Sequence, residues 1–250
     1  ENNLWDSEWL QKKYPEGGVI QNLSNGGYAK GYNDALPHID ADIYCLLNSD
    51  VEVTKDWLIP IIKEFEDRPL ASIVQPKILD YKNKTHFEYA GAAGGFMDKF
   101  GYPFNELETD NGQYNDVKEI FWATGACLFI KKEVFQELNG FDEDYFAHQE
   151  EIDLCWRAKN KGHKVYYVGA SEVYHLGGST LNSMNPKKTF LNFRNSLYSL
   201  VKNLPAGKVF PIVLLRLILD GLAGLNFLFQ GRFKHFLAIL QAHFSFYKNF

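Results

Sequence analysis

A continuous apolar run, Ile43-Tyr44-Cys45-Leu46-Leu47, ends in the polar turn Asn48-Ser49-Asp50. A run with no solvent-facing position predicts a central parallel strand covered on both faces. Upstream, Val19-Ile20-Gln21 reads as a short strand, followed by the turn Asn25-Gly26-Gly27 and a helix from Tyr28 towards Leu36 that ends near Pro37. Downstream, Thr54 is placed to cap a helix over Asp56 to Glu66, and Ser72-Ile73-Val74-Gln75 returns as a strand. From His86 to Asp116 the periodicity is weak and Gly, Asn and aromatic residues dominate, which predicts irregular excursions around a cleft. An apolar strand pair spans Ile120 to Ile130, and a short helix covers Lys132 to Leu138. A further helix holds Glu150, Glu151, Asp153 and Arg157 until Gly162 stops it; Lys164 to Val168 is then a strand, with His175 in the loop beyond. Such alternation predicts an α/β fold built on a mixed, mostly parallel sheet flanked by helices.

Beyond Pro186 the pattern turns helical. Phe190, Phe193, Leu197 and Leu200 form one stripe that Pro205 interrupts. We place a main domain over residues 1–204 and a helical extension over 205–250. Val209 to Phe229 approaches the ~20 residues that span a bilayer, but Arg216, Asp220 and Asn226 fall inside it. Arg216 and Asp220 are four apart and can pair on one helix face. Phe233, Phe236, Leu237, Leu240 and Phe244 share a face in the last segment, near Arg232, Lys234 and His235. Two readings stay open for these helices: packing on the main domain, or in-plane attachment to a membrane.

Composition narrows the classes. Of 250 residues, 46% are hydrophobic, enough for a sizeable core, and a net charge of −5 without a basic stripe argues against a nucleic-acid partner. Cys45, Cys127 and Cys155 lack metal-ligand spacing and sit among apolar neighbours, which predicts reduced, buried thiols and a cytoplasmic setting. The chain opens on polar Glu1-Asn2-Asn3 with no signal-peptide pattern.

The candidate chemistry lies where polar groups follow strands. Asp50 closes a strand, with Glu52 two residues on, and ligands bind at the carboxyl ends of strands in open α/β sheets. Glu150, Glu151 and Asp153 are close enough to repel, which raises the pKa of at least one unless a cation or donors compensate; Arg157 is such a donor. The plain alternative is a solvated acidic helix start. His175 precedes Gly177-Gly178-Ser179 and, with a strand-end Asp, suits a divalent cation on diphosphate oxygens. Aromatic residues from Tyr89 to Phe104, with Trp122, suit either a sugar-stacking platform or the core.

Four segments in order resemble the family 2 glycosyltransferases of the GT-A fold, especially bacterial rhamnosyltransferase-like members: Asn25-Gly26-Gly27-Tyr28-Ala29-Lys30-Gly31-Tyr32-Asn33; Leu46-Leu47-Asn48-Ser49-Asp50-Val51-Glu52; Thr124-Gly125-Ala126 through Gly140-Phe141-Asp142-Glu143 to Glu150-Glu151-Ile152-Asp153-Leu154-Cys155-Trp156-Arg157; and Val173-Tyr174-His175-Leu176-Gly177-Gly178-Ser179. The resemblance covers roughly Val19 to Asn203. It implies a GT-A-like sheet and inverting transfer of a sugar from a nucleotide-diphosphate sugar to a saccharide or lipid-linked glycan acceptor, at the cytoplasmic side or the inner membrane surface. Asp50 and His175 would hold Mg or Mn. Glu151 would be the general base, with Glu150 and Asp153 orienting base and acceptor. Asn25, Gly27, Lys30, Asn33 and Asp50 would lie near the donor.

Two departures from the family pattern stand out. Glu151 occupies a position where the family usually has Asp. The family's opening strand–helix–strand unit has no counterpart, so we expect it to precede this sequence or to be lacking. The alternatives are a degenerate sugar-nucleotide or glycan-binding module, and a nucleotidyltransferase of the same fold. A processive synthase would add a Gln-x-x-Arg-Trp motif, which is absent.

Overall fold

The computed structural model describes residues 7–13, 15–22, 24–88, 92–105, 114–177 and 184–249. A short helix α1 (Ser7–Lys13) is followed by residues 18–22 in no regular structure. The strand expected at Val19-Ile20-Gln21 is therefore not formed: Val19 and Ile20 are exposed, and the described residues offer them no ladder. Helix α2 (Gly27–Ala35) and a 3₁₀ turn through Pro37 agree with the expected helix and its stop.

The sheet is built from β1 (Ile43–Leu47), β2 (Val51–Val53), β3 (Ala71–Asp80), β6 (Val117–Glu119), β7 (Cys127–Lys131) and β8 (Lys164–His175), in the order β1-β7-β3-β8-β2 with β6 also on β8. Between β3 and β6 a small hairpin, β4 (Gly95–Met97) with β5 (Pro103–Asn105), occupies part of the stretch expected to be irregular. The sheet is mixed, as expected. Its directions are not mostly parallel: among the described pairings only β3 with β8 is parallel, while β1–β7, β3–β7, β2–β8 and β6–β8 are antiparallel. Nor is β1 central. It ends the strand order, and this leaves Cys45 exposed, against the expectation of a buried thiol; Cys127 and Cys155 are buried, and all three are free.

Alternation along the inner strands serves both faces. On β7, Leu128 and Ile130 join one core with Ile73, Ala29 of α2, Val134 and Phe135 of α4 (Lys132–Glu137), and Ile152 and Leu154 of α5 (Glu150–Asn160). Cys127 and Phe129 point the other way, into a second core with Val74, Ile78 and Ile61 and Phe65 of α3 (Leu58–Asp67). Thr54 does not cap α3. Its hydroxyl donates to Glu172 O at 2.8 Å, tying β2 to β8.

The C-terminal part is three helices: α6 (Pro186–Asn203), α7 (Ala206–Phe229) and α8 (Phe233–Asn249). Leu197 and Leu200 of α6 share a third core with Phe246 of α8, against which Ile212, Val213 and Leu217 of α7 pack. The expected pair forms: Arg216 Nε is 3.3 Å from Asp220 Oδ1, both side chains buried.

Candidate active site

Backbone hydrogen bonds gather the sequence segments singled out above. Tyr28, at the start of α2, donates its N–H to Phe146 O at 2.8 Å and its hydroxyl to Gly125 O at 2.8 Å. Asn48 N donates to Ala126 O at 3.0 Å, so the turn after β1 sits beside the same Gly125 segment. That turn carries Asp50, which faces His175. Gly27 makes this closure possible: its φ is +85°, and a Cβ there would lie 2.1 Å from Phe146 O, so only glycine lets the backbones approach. Asn25 holds the turn by accepting from Gly27 N at 3.0 Å.

At one end of the site, β2 pairs with β8 so that Val51 lies opposite His175. His175 is thus the last residue of β8 rather than a loop residue, and its position is set by the ladder. His175 Nε2 is 3.2 Å from Asp50 Oδ1, and its Nδ1 is 3.5 Å from Glu88 Oε2 without a hydrogen bond. Burial pulls the histidine pKa down, but the carboxylates of Glu88 and Asp50 outweigh it and leave it raised. Among the described residues no three His, Cys, Asp or Glu side chains form a metal cage. One carboxylate and one imidazole nevertheless fit a hard divalent cation that keeps phosphate oxygens and water as its other ligands. Gly178 and Ser179 lie outside the described residues.

At the other end, the solvated acidic helix start is not what forms. Glu150 is 4% exposed, and Oε2 of both Glu150 and Glu151 is buried without a hydrogen-bond partner. Burial, then repulsion from Glu151, pushes the Glu150 pKa well above the carboxylate range. Glu151 is pushed by burial to about 7, against lowering by the backbone amides at Glu151, Ile152 and Gln149. A carboxylate that titrates near neutrality suits general base catalysis. The turn entering α5 is strained: Phe146, His148 and Gln149 have φ of 62°, 68° and 70°, a region non-glycine residues avoid.

Asp153 is differently placed. It is fully buried and accepts from Arg157 Nε at 2.7 Å, Lys202 Nζ at 3.1 Å and Asn203 Nδ2 at 2.9 Å, fastening α5 to α6. Asn33 likewise clamps α2 to the segment before α5, donating to Phe141 O at 2.8 Å and accepting from Phe141 N at 2.9 Å. Lys30 pairs with Asp34 at 2.8 Å on the surface, with Glu143 at 3.8 Å. Trp122 belongs to the core and donates Nε1–H to Phe96 O at 2.9 Å, so it is no sugar platform; Tyr89 lies outside the described residues.

Three participants escaped sequence reading. Glu88 lies in an unpatterned stretch. Tyr28 stood inside a recognised segment without a role. Asn195, on α6, donates Nδ2–H to the carbonyls of Tyr145, Ala147 and His148 at 3.1, 3.0 and 2.7 Å and so supports the strained turn. A lone Asn beside the Phe193–Leu197–Leu200 stripe was its only signal.

A mixed sheet with helices on both faces, carrying acidic groups at its strand ends, defines the GT-A class of folds. Solved structures agree. The chain is similar to GalNAc-T7 with UDP, GalNAc and Mn²⁺ (TM-score 0.55, 18% identity, 67% of this chain and 33% of that one). It is also similar to the mannosyltransferase PcManGT from Pyrobaculum calidifontis in complex with GDP-Man and Mn²⁺ (TM-score 0.53, 13% identity, 96% and 72%). The model of the glycosyltransferase like family 2 matches residues 6–190, and the chain belongs to that family. Relatives include rhamnosyltransferase WbbL of Escherichia coli K12, 26% identical over 61% of this chain and 62% of its own length. The low-salt glycan biosynthesis hexosyltransferase Agl10 of Haloferax volcanii is 23% identical over 70% and 57%. The chain thus spans about three fifths of the length of these relatives.

Proposed function

We propose that the chain carries an inverting glycosyltransferase site, which moves a sugar from a nucleotide-diphosphate donor to a hydroxyl of a saccharide or lipid-linked glycan. The observation that carries this reading is the carboxylate pair at the start of α5, Glu150 buried and Glu151 half-buried with its Oε2 shut off from solvent and near pKa 7, in a fold shared with sugar-nucleotide enzymes. Glu151 takes the proton of the acceptor hydroxyl as that oxygen attacks the anomeric carbon. The bond to the diphosphate oxygen breaks on the opposite face, and the nucleoside diphosphate leaves with the electron pair. Glu150, its pKa raised by burial and by the Glu151 charge, is the neighbour that orients Glu151, and Asp153 acts through the α5–α6 tie. Asn25, Gly27, Lys30 and Asn33 shape the donor side.

Asp50 and His175 would hold Mg or Mn, which when bound neutralises charge on the diphosphate. The names of WbbL and of the mycobacterial N-acetylglucosaminyl-diphospho-decaprenol L-rhamnosyltransferase, 36% identical over 58 residues, favour a rhamnosyl donor; hexosyl donors are the alternative that Agl10 represents. The setting we propose is the cytoplasmic side of a membrane.

The test is calorimetric binding of UDP- and dTDP-sugars with and without Mn or Mg, followed by turnover. Glu151→Gln is expected to abolish transfer and leave donor binding nearly intact, while Asp50→Ala weakens metal-dependent binding. Unchanged turnover in Glu151→Gln would remove Glu151 from the mechanism. A folded chain that binds no donor would leave a degenerate module as the better reading.

A further inference from the structure

Helix α7 is amphipathic in the reverse sense. Its charged residues within 209–229, Arg216 and Asp220, both face inward. Arg216 donates to Phe100 O at 3.0 Å and Ser196 Oγ at 2.7 Å and lies over the Tyr102 ring at 3.7 Å; Asp220 accepts from Tyr102 O–H at 3.0 Å. The outward stripe, by contrast, is apolar. Phe210 (76% exposed), Leu214, Ile218, Leu222, Leu225 and Phe229 (86%) follow one another at three- or four-residue steps, with no charged side chain exposed among them. A water-facing helix shows the opposite arrangement.

Helix α8 packs back on α7 at Gly224, where a Cβ would lie 3.2 Å from Phe236. It leaves a second stripe uncovered: Phe233, Leu237, Leu240, Phe244 (73%) and Tyr247. Lys234, Gln241 and Lys248 follow at seven-residue spacing along its flank, all exposed. Two stripes of exposed Leu, Ile and Phe running along paired helices differ from the singly scattered apolar residues of an ordinary water-facing surface.

The charge is divided along the same line. Residues 205–250 hold five Lys and Arg against one Asp, a net of +4, so residues 1–204 carry −9 of the chain's −5. An apolar stripe edged by cations matches a bilayer with anionic headgroups: acyl chains accept the Leu and Phe side chains, and lysines reach the phosphates.

We propose that α7 and α8 lie in the plane of a membrane carrying anionic lipid, with their uncovered stripes in the acyl region. Length and composition alone would let α7 cross a bilayer, but its inward face is tied to α6, α8 and the 98–102 turn, and crossing would break every one of those bonds. The inference rests on these helices and not on the transfer reaction.

The test is flotation of the full chain with vesicles of phosphatidylcholine, alone and mixed with phosphatidylglycerol, beside light scattering without lipid. The chain is expected to float, more on the anionic vesicles, as a lipid-free monomer. Ile218→Glu/Leu222→Glu, at exposed positions that keep the thermal melt unchanged, is expected to lower partition about tenfold or more on both vesicle types. Lys234→Glu/Lys248→Glu is expected to lower it about tenfold on anionic vesicles alone. The proposal is overturned if the chain does not float, or if neither variant changes partition. It is also overturned by a lipid-free dimer that Ile218→Glu/Leu222→Glu makes monomeric, since a second copy then covers the face. Resistance of the bound chain to alkaline carbonate extraction would overturn the in-plane placement.

Discussion

Glu151 ties catalysis to stability through one proton. In the unfolded chain its carboxyl titrates near 4.5, and in the folded chain at about 7. Below 4.5 both states hold the proton and nothing is lost. Between the two values the folded protein keeps a proton the unfolded chain has released, so stability falls as pH rises, and above 7 the full penalty is present. Its size is on the order of 3 kcal/mol. Glu151→Gln, which has no charge to bury, is therefore expected to be stabilised relative to the parent by more at pH 8 than at pH 5. Urea denaturation at the two pH values decides this; an equal difference at both would mean the carboxyl is not perturbed in the fold. In the parent, kcat/KM is expected to fall about tenfold per pH unit below about 7, where the base is protonated.

At the scale of elements, what matters is how α6 holds the entry to α5. The three positive φ values between Phe146 and Gln149 each cost on the order of 1–3 kcal/mol, and such a turn persists only if its surroundings hold it. Asn195 does so from α6, together with Arg194, whose Nη2 donates to Asp144 O at 2.8 Å. Asn195→Ala is expected to cost about 1–3 kcal/mol by removing a buried hydrogen-bond donor. It should also lower kcat while leaving donor affinity in place, because the turn presents Glu150 and Glu151 and not the Asp50 side. Donor binding that falls as far as kcat would argue that Asn195 supports the whole domain instead. In α7, Arg216→Met is expected to cost about 3–5 kcal/mol by stranding Asp220 in the interior, read as a lowered melting temperature. His243 Nε2, 3.3 Å from Asp220 Oδ2, is a remaining neighbour of that carboxylate.

At the scale of the molecule, the helical extension after residue 204 shares a core with the part before it. Leu197 and Leu200 precede that boundary, Phe246 lies near the far end of the chain, and they pack together. We therefore expect residues 1–250 to melt in one cooperative step. A chain ending at Leu204 should lose solubility and transfer together, because α6 would expose its apolar stripe and release the turn before α5. Two separate transitions, or an active shortened chain, would show that the extension folds and acts apart. If α7 and α8 do lie on a membrane, α6 connects that surface mechanically to Glu150 and Glu151.

By itself the sequence determined the features that depend on near neighbours. The helices over Gly27–Ala35, Lys132–Glu137 and Glu150–Asn160 were legible because periodicity, Pro37 and Gly162 act within a turn or two. The Arg216–Asp220 pair was legible for the same reason, being set by a four-residue step. Motif order marked Asp50, Glu150, Glu151 and His175 as candidates. Only the tertiary structure decided what depends on distant partners. Strand β8 runs on to His175 because β2 and β3 extend the ladder that far, and β1 lies at an end because no described strand pairs with its outer side. Val19-Ile20-Gln21 has strand composition but no strand to pair with among the described residues. Burial separated three carboxylates that looked alike in one dimension: Asp153 meets Arg157 on its own helix and Lys202 and Asn203 across a helix interface, while Glu150 and Glu151 meet no cation among the described residues and keep raised pKa values. The cost of burying a charge depends on what lies across the gap, and the sequence does not state what that is.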